Sequence, residues 1–193
     1  MQNRYGRAGV VALSLLVPVL ACTGSPNPRL DNAPVVRGAD GREYRVLAKG
    51  PYKAFYDSAG RVDRIEYDSN GDGKTDQTAF YDGSSYPKRL EVDTDFDGRT
   101  DRWETYDENG RLASVGISRK HGDRPDMWTF YGPSGETQRV EIDSNGHGRP
   151  DRWQRWEGSR LVTEDIDSDG DGKPDRRLKY DSHGKVIGME TLR

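Results

Sequence analysis

The sequence predicts an all-β fold: an antiparallel meander of about eleven or twelve strands, built from 25-residue hairpin units with acidic loops along one edge. Three observations carry this. A nonapeptide rich in Asp, Asn and Gly begins at Asp68, Asp93, Asp143 and Asp167, at separations of 25, 50 and 24 residues, and a degenerate copy, S-R-K-H-G-D-R-P-D from Ser118, fills the gap. A fixed period of this length marks a repeat architecture. The stretches Y-K-A-F-Y-D, Q-T-A-F-Y-D, R-W-E-T-Y-D, M-W-T-F-Y-G, R-W-Q-R-W-E and R-R-L-K-Y-D begin at residues 52, 77, 102, 127, 152 and 176. Each is aromatic or β-branched and too short for a helix. Only 32% of the 193 residues are hydrophobic while 33% are charged, which suits a thin sheet better than a thick core. Disorder is the competing reading of such a composition. Against it stand 4 Trp, 10 Tyr and 4 Phe, most of them at fixed places in the period.

At the N-terminus, M-Q-N-R-Y-G-R precedes an apolar run from Ala8 to Leu20 that is short for a membrane span. Residues 1–21 read as an export signal. The single cysteine, Cys22, follows Val19-Leu20-Ala21, and V-L-A-C resembles the lipobox of bacterial lipoproteins. That resemblance implies cleavage before Cys22, its acylation, and anchoring to the membrane of the cell envelope. Thr23 is not the aspartate that commonly retains lipoproteins in an inner membrane, so the family rule points to the outer membrane where a cell has two. An ordinary signal peptide cleaved nearby is the alternative. No further cysteine exists for a disulfide, so a small exported fold needs another staple, which bound metal can supply.

Residues 22–39, with three prolines after Thr23, read as a tether between membrane and domain. Asp40-Gly41 reads as a turn and Arg42 to Leu47 as a first strand. The repeat domain occupies 40–193, with units 52–76, 77–101, 102–126, 127–151 and 152–175 and a half unit 176–193. Each unit is a strand, a glycine turn such as E-N-G-R, a second strand such as V-D-R-I-E-Y, and an acidic loop. Alternation puts Ile65, Leu90, Val115 and Val140 on one face with Tyr67, Val92, Ile117, Ile142 and Ile166. Tyr56, Tyr81, Tyr106, Tyr131, Trp156 and Tyr180 share one register position. Phe55, Phe80, Trp103, Trp128, Phe130 and Trp153 lie on the other face of their strands, which is therefore not wholly polar. In a meander all glycine turns fall at one edge and all acidic loops at the other.

The loops carry the chemistry. Oxygen donors at alternate positions wrap one hard cation, a glycine at position 6 takes the sharp turn, and position 7 offers its carbonyl. The loop from Asp93 has the fullest set: Asp93, Asp95, Asp97, the Arg99 carbonyl, Asp101, and Glu104 at position 12. Elsewhere the donors are Asp68, Asn70, Asp72, Lys74 and Asp76; Asp143, Asn145, Arg149 and Asp151; and Asp167, Asp169, Asp171, Lys173 and Asp175. Lys74, Arg149 and Lys173 enter, like Arg99, through their carbonyls. His147 replaces a carboxylate and weakens its loop, and the Ser118 copy lacks ligands. The nonapeptides resemble thrombospondin type 3 repeats and the loops of dockerins and EF-hands, without the EF-hand helices. Y-D-x-x-G-R at Tyr56 and Tyr106, with Lys185 closing the version at Tyr180, is similar to bacterial YD repeats. These resemblances imply calcium, at three or four sites of unequal affinity, and no enzyme. Turn formation alone is the plainer reading of Asp, Asn and Gly runs, and Glu104 is alternatively a strand residue beside Tyr106. Successive loops lie two strands apart, about 9.5 Å from a strand spacing of ~4.7–4.9 Å. That is close to a Debye length, so unneutralised loops repel and divalent cations relieve the repulsion.

The net charge of −3 supplies no basic field, so nucleic acid is excluded as a partner. Trp103, Trp128 and Trp153 recur one unit apart. They form either a platform for a glycan such as peptidoglycan or a hydrophobic column beneath neighbouring strands. His121, His147 and His183 have neither zinc spacing nor a nucleophile beside them, so a hydrolase is the least supported class. The sequence thus points to a calcium-stabilised structural or binding module of the envelope, with an envelope protein or a glycan as its partner.

Overall fold

The computed structural model describes residues 28–119 and 122–192. Residues 1–21, read above as an export signal, and Cys22, Lys120 and His121 lie outside the described residues. One sheet of fourteen antiparallel strands runs in sequence order, each strand paired only with its neighbours in the chain. The strands are β1 (Val35–Arg37), β2 (Glu43–Lys49), β3 (Tyr52–Tyr56), β4 (Val62–Tyr67), β5 (Gln77–Phe80), β6 (Arg89–Val92), β7 (Arg102–Tyr106), β8 (Leu112–Ile117), β9 (Met127–Tyr131), β10 (Thr137–Ile142), β11 (Arg152–Glu157), β12 (Arg160–Ile166), β13 (Arg176–Tyr180) and β14 (Val186–Thr191). The sheet is an open meander, as its repeat predicts, with more strands than the eleven or twelve expected. One of the extra strands is β1, which lies inside the stretch read as a tether. Val35 and Val36 favour extended backbone, and Val36 pairs with Tyr44 of β2. A single helical turn, α1 (Pro28–Asp31), precedes it. Leu30 is buried over the Gly60 turn, and Arg45 donates to the carbonyls of Leu30 and Asp31 at 3.1 and 2.9 Å.

The glycine turns explain the Y-D-x-x-G-R motif. Asp57 Oδ1 accepts the amides of Ala59 and Arg61, both at 2.9 Å, while its Oδ2 accepts Arg61 Nε at 2.9 Å. Asp107 repeats this with Asn109 and Arg111, and Asp181 with the amides of His183 and Lys185. Gly60, Gly110 and Gly184 take φ of +76°, +74° and +76°, a conformation glycine adopts without strain. Each turn follows a register shift at the tyrosine, so Tyr, Asp, Gly and Arg act as one bulged hairpin. The amide of Arg111, followed by its side chain, holds the Asp107 carboxyl below the ordinary carboxylate range. A depressed carboxylate contributes stability that is complete above its unfolded pKa near 3.9 and lost as pH falls through the folded value. Asp107→Ala should therefore lower the melting temperature by about 2–4 °C at neutral pH, the shift expected for one lost turn of this kind. The gap from wild type should narrow as pH falls below about 4 and through the folded value. An unchanged gap at acid pH would mean the carboxylate is not what holds the turn.

With a single layer, few side chains are fully buried. The apolar ones among the described residues are Leu30, Ala33, Tyr44, Phe55, Ala79, Tyr81, Val115 and Val140. On one face Ile65, Ala79, Leu90, Val115 and Val140 belong to one cross-strand row, flanked by the tyrosine column. The row also contains two carboxylates. Glu104 stands between Leu90 and Val115, and Glu164, 5% exposed, between Gln154 and Leu178. Glu164 accepts from Tyr180 Oη at 2.9 Å, Gln154 Nε2 at 3.1 Å and Arg152 Nη1 at 3.5 Å.

The other face is covered by arginine. Arg64 lies 3.7 Å over the Phe55 ring, Arg89 4.1 Å over Phe80 and Arg139 4.0 Å over Phe130. Each arginine also pairs with a glutamate two residues on: Glu66, Glu91 or Glu141. The aromatic ring thus gains a cation over its face, and the cation keeps a counter-ion, a contact worth about 0.5–1 kcal/mol at exposed sites. Tyr44, 1% exposed, closes this face at the N-terminal end, flanked by Arg42 and Arg64 and donating to Asp40 at 2.6 Å.

Candidate metal centre along the acidic edge

The topology delivers the loops 68–76, 93–101, 118–126, 143–151 and 167–175 to one edge, because each joins a second strand of a unit to the first strand of the next. Their internal bonding follows one plan. The position-9 carboxylate reaches back to position 2: Asp76 accepts the Ser69 amide (2.7 Å) and hydroxyl (2.6 Å), and Asp101 the Thr94 amide (3.2 Å) and hydroxyl (2.6 Å). Asp151 with Ser144 and Asp175 with Ser168 do the same, and in the degenerate loop Asp126 holds Arg119. The position-1 carboxylate is central. One of its oxygens accepts the position-6 glycine amide: Gly73 to Asp68 at 2.8 Å, then Gly98 to Asp93, Gly148 to Asp143 and Gly172 to Asp167, each at 2.7 Å.

The predicted ligands divide. Asp93, Asp95 and Asp101 converge, with one ligand oxygen each within 4.8 Å of the others, and so do Asp167, Asp169 and Asp175. These acidic clusters can hold a metal ion. Asp72, Asp97 and Asp171 are not in them; their Oδ1 atoms instead accept the position-7 amides of Lys74, Arg99 and Lys173 at 2.8, 2.8 and 2.7 Å. Asn70 and Asn145 accept the amides of Asp72 and His147. Glu104 does not join the Asp93 group. It sits on β7, accepting Arg102 Nε at 2.6 Å on one oxygen and the Tyr106 hydroxyl on the other. Position 12 falls three residues into the chain after the loop, and an extended strand, unlike a helix, does not bring it back over the loop. Loop 143–151 offers two carboxylates, Asp143 and Asp151, both bonded to their own backbone.

One oxygen differs from the rest. Asp93 is 6% exposed, and its Oδ1 is buried with no hydrogen-bond partner. A buried carboxylate oxygen left unpaired costs at least as much as a lost hydrogen bond, and more because it is charged. It points to a cation as the missing partner. The donor set of three carboxylates within reach of one point suits a hard divalent ion.

Two side chains that the alternation of donors does not reveal also shape the edge. Arg149 Nη2 donates to the Gly170 carbonyl of the next loop, and its guanidinium stands over Gly172. The Arg124 guanidinium lies against Gly148 in the same sense, so that a side chain there would collide with it. Cationic residues therefore span two of the gaps where repulsion was expected. Their signal in the sequence is the basic residue at position 7 of every loop: Lys74, Arg99, Arg124, Arg149 and Lys173. No comparable cover stands over Gly98 of the Asp93 loop.

The recurring tryptophans, expected as either a glycan platform or a hydrophobic column, line up across the strands. Trp103, Trp128 and Trp153 share one cross-strand row with Glu91, Gly116, Glu141 and Asp165. Trp128 packs on Gly116, beside Pro125, and stacks on Phe130 with ring centroids 6.4 Å apart. It thus serves as cover for the sheet. His147 and His183 are exposed on loops, the first donating its amide to Asp143 and Asn145, the second its amide to Asp181.

Neither a protein-family model nor a curated protein matches the chain. Among solved structures it is similar in part to a mutant of S. aureus TarM in complex with Fondaparinux, alpha-GlcNAc-glycerol and UDP, at 11% identity and a TM-score of 0.42 over 61% of this chain and 21% of that one. It is also similar in part to accessory secretory protein 1, 2 and 3 of Streptococcus pneumoniae (10% identity, TM-score 0.37, 58% and 19% covered). A third is the GtfA/B complex bound to UDP and GlcNAc (16%, 0.36, 69% and 25%). The chain spans about a fifth to a quarter of the length of these proteins, and similarity at this level carries no functional argument.

Proposed function

We propose that the protein is a calcium-binding structural or binding module of the bacterial cell envelope, anchored through lipid on Cys22, and not an enzyme. The observation that carries the cation reading is the buried, unpartnered Oδ1 of Asp93 in a group with Asp95 and Asp101. Calcium fits better than magnesium, because it accepts irregular oxygen shells while magnesium demands near-octahedral geometry and dehydrates reluctantly. The loop is open to the solvent that would deliver the ion: Asp95 and Asp97 are exposed. A metal also supplies what the composition lacks, a staple for a one-layer sheet with a single cysteine.

The anchor rests on V-L-A-C and the short apolar run before it. Metabolic labelling with a fatty-acid probe should mark the wild type and not Cys22→Ser; equal labelling of both would remove the anchor from the proposal. Calcium titrated into the full chain should give saturable binding that Asp93→Asn abolishes. Binding that survives this substitution unchanged would place the ion elsewhere.

A further inference from the structure

The four aspartate-led loops share a plan but not a balance of donors. In three of them position 4 is glycine, and its amide donates to the first aspartate: Gly71 to Asp68 at 2.6 Å, Gly146 to Asp143 at 2.6 Å, and Gly170 to Asp167 at 2.7 Å. Together with the position-6 amide, this satisfies both oxygens of that carboxylate from the loop's own backbone. In the fourth loop position 4 is Phe96, and the corresponding oxygen, Asp93 Oδ1, has no partner.

The backbone gives the reason. The three glycines take φ of +80°, +80° and +78°, whereas Phe96 takes +63°. A Cβ confines an L-residue to the narrow left-handed region, and beyond it meets its own carbonyl. Phe96 is therefore confined to a narrower backbone range than the position-4 glycines, and in its loop the oxygen that they bond is left without a partner. Phe96 is also 47% exposed, so its ring is not kept there by packing. A strained, exposed aromatic residue stands where three sister loops use glycine, and its local effect is to withdraw one hydrogen-bond donor from a buried carboxylate.

We infer that Phe96 is the residue that selects loop 93–101 as the cation site of the edge, by leaving Asp93 Oδ1 for the ion, while the glycine loops satisfy the same oxygen with their own amide. This rests on the cation-binding reading above. It carries a consequence of opposite signs. Phe96→Gly removes the left-handed strain and lets the amide return to Asp93, so the metal-free protein becomes more stable while the site becomes weaker. A residue whose role is only to pack or to turn the chain moves both in the same direction.

The experiment is calcium titration and thermal melting of the full chain as wild type, Phe96→Gly and Phe96→Asn. Asparagine tolerates the left-handed region but retains a Cβ, so it keeps the constraint without the aromatic ring. Phe96→Gly is expected to raise the melting temperature in chelator by about 2–4 °C. It should weaken calcium binding about tenfold or more, the equivalent of one charge-assisted hydrogen bond regained by the metal-free loop. Phe96→Asn should bind calcium like the wild type. Wild-type affinity in Phe96→Gly overturns the inference and leaves the cation site standing. Equal weakening in both variants assigns the effect to the ring and overturns it too. A wild type without any calcium response removes the cation reading and this inference together.

Discussion

Calcium should raise the melting temperature of the full chain, chelator should lower it, and Asp93→Asn should remove most of the difference. The size follows from linkage: an ion that binds the native state alone adds RT ln(1 + [L]/Kd), about 2.7 kcal/mol at one hundred times Kd. At about 2–4 °C per kcal/mol for a chain of this length, that is a shift of roughly 5–11 °C. Asparagine is close to isosteric and keeps an acceptor for the Gly98 amide, which Asp93 now holds at 2.7 Å. It discards the uncompensated charge, so in chelator Asp93→Asn should melt at or above the wild type. Asp97→Asn should retain most of the calcium gain, because Asp97 stands outside the acidic group and serves the Arg99 amide. Magnesium should substitute poorly. Melting curves indifferent to chelator would sink the metal reading; a gain lost in Asp167→Asn but kept in Asp93→Asn would place the ion in the wrong loop.

Glu164→Ala should be the more damaging change, at about 2–4 kcal/mol. The residue is 5% exposed and gathers Tyr180, Gln154 and Arg152 around it. Removing the carboxylate leaves a half-buried hydroxyl and a half-buried amide without their acceptor, each toward the low end of about 1–3 kcal/mol, and opens a gap beside them. Gln154 is already committed on its other side, accepting Trp156 Nε1 at 3.3 Å, so it cannot turn to compensate. Glu164→Gln keeps one acceptor and should fall between the two. The network has a pH signature as well. Desolvation, and then the hydrogen bond to Glu164, push the Tyr180 hydroxyl up to about 12. A raised folded pKa gives stability that is complete below the unfolded value near 10 and lost as pH rises toward 12. Without the carboxylate the second of these causes disappears, and that part of the alkaline loss with it. Equal denaturation midpoints for wild type and Glu164→Ala would show that the Glu164 network contributes nothing to stability.

Glu164 also shows how far a periodic sequence can be read. Its place in the chain is one period after Val140, so the repeat already puts it in the apolar row of Ile65, Leu90, Val115 and Val140. What surrounds it there, a tyrosine from β13 and a glutamine from β11, depends on strand pairings that join residues 10 and 16 positions apart in the chain. Glu104 shows the converse. Counted along the loop it is a twelfth ligand, and in space it belongs to Tyr106 and Arg102. The arginines over Phe55, Phe80 and Phe130 were equally hidden, because each approaches its ring from the neighbouring strand.

The all-β meander, the two faces, the edge that carries the acidic loops and the Asp93 loop as the richest in oxygen donors all follow from the sequence by itself. They depend on period and alternation, which are properties of the chain read locally and then repeated. The docking of Val35–Arg37 onto the sheet, the arginines that reach from one loop to the next, and the division of aspartates into those bonded by backbone and those converging on a point were decided only by the tertiary structure. The physical reason is that a carboxylate has more suitors than one sequence motif can rank. Which partner an aspartate oxygen meets is decided only once the loop is closed between two paired strands: in three loops the position-4 glycine amide reaches the first aspartate, and at Phe96 the same oxygen is left without a partner.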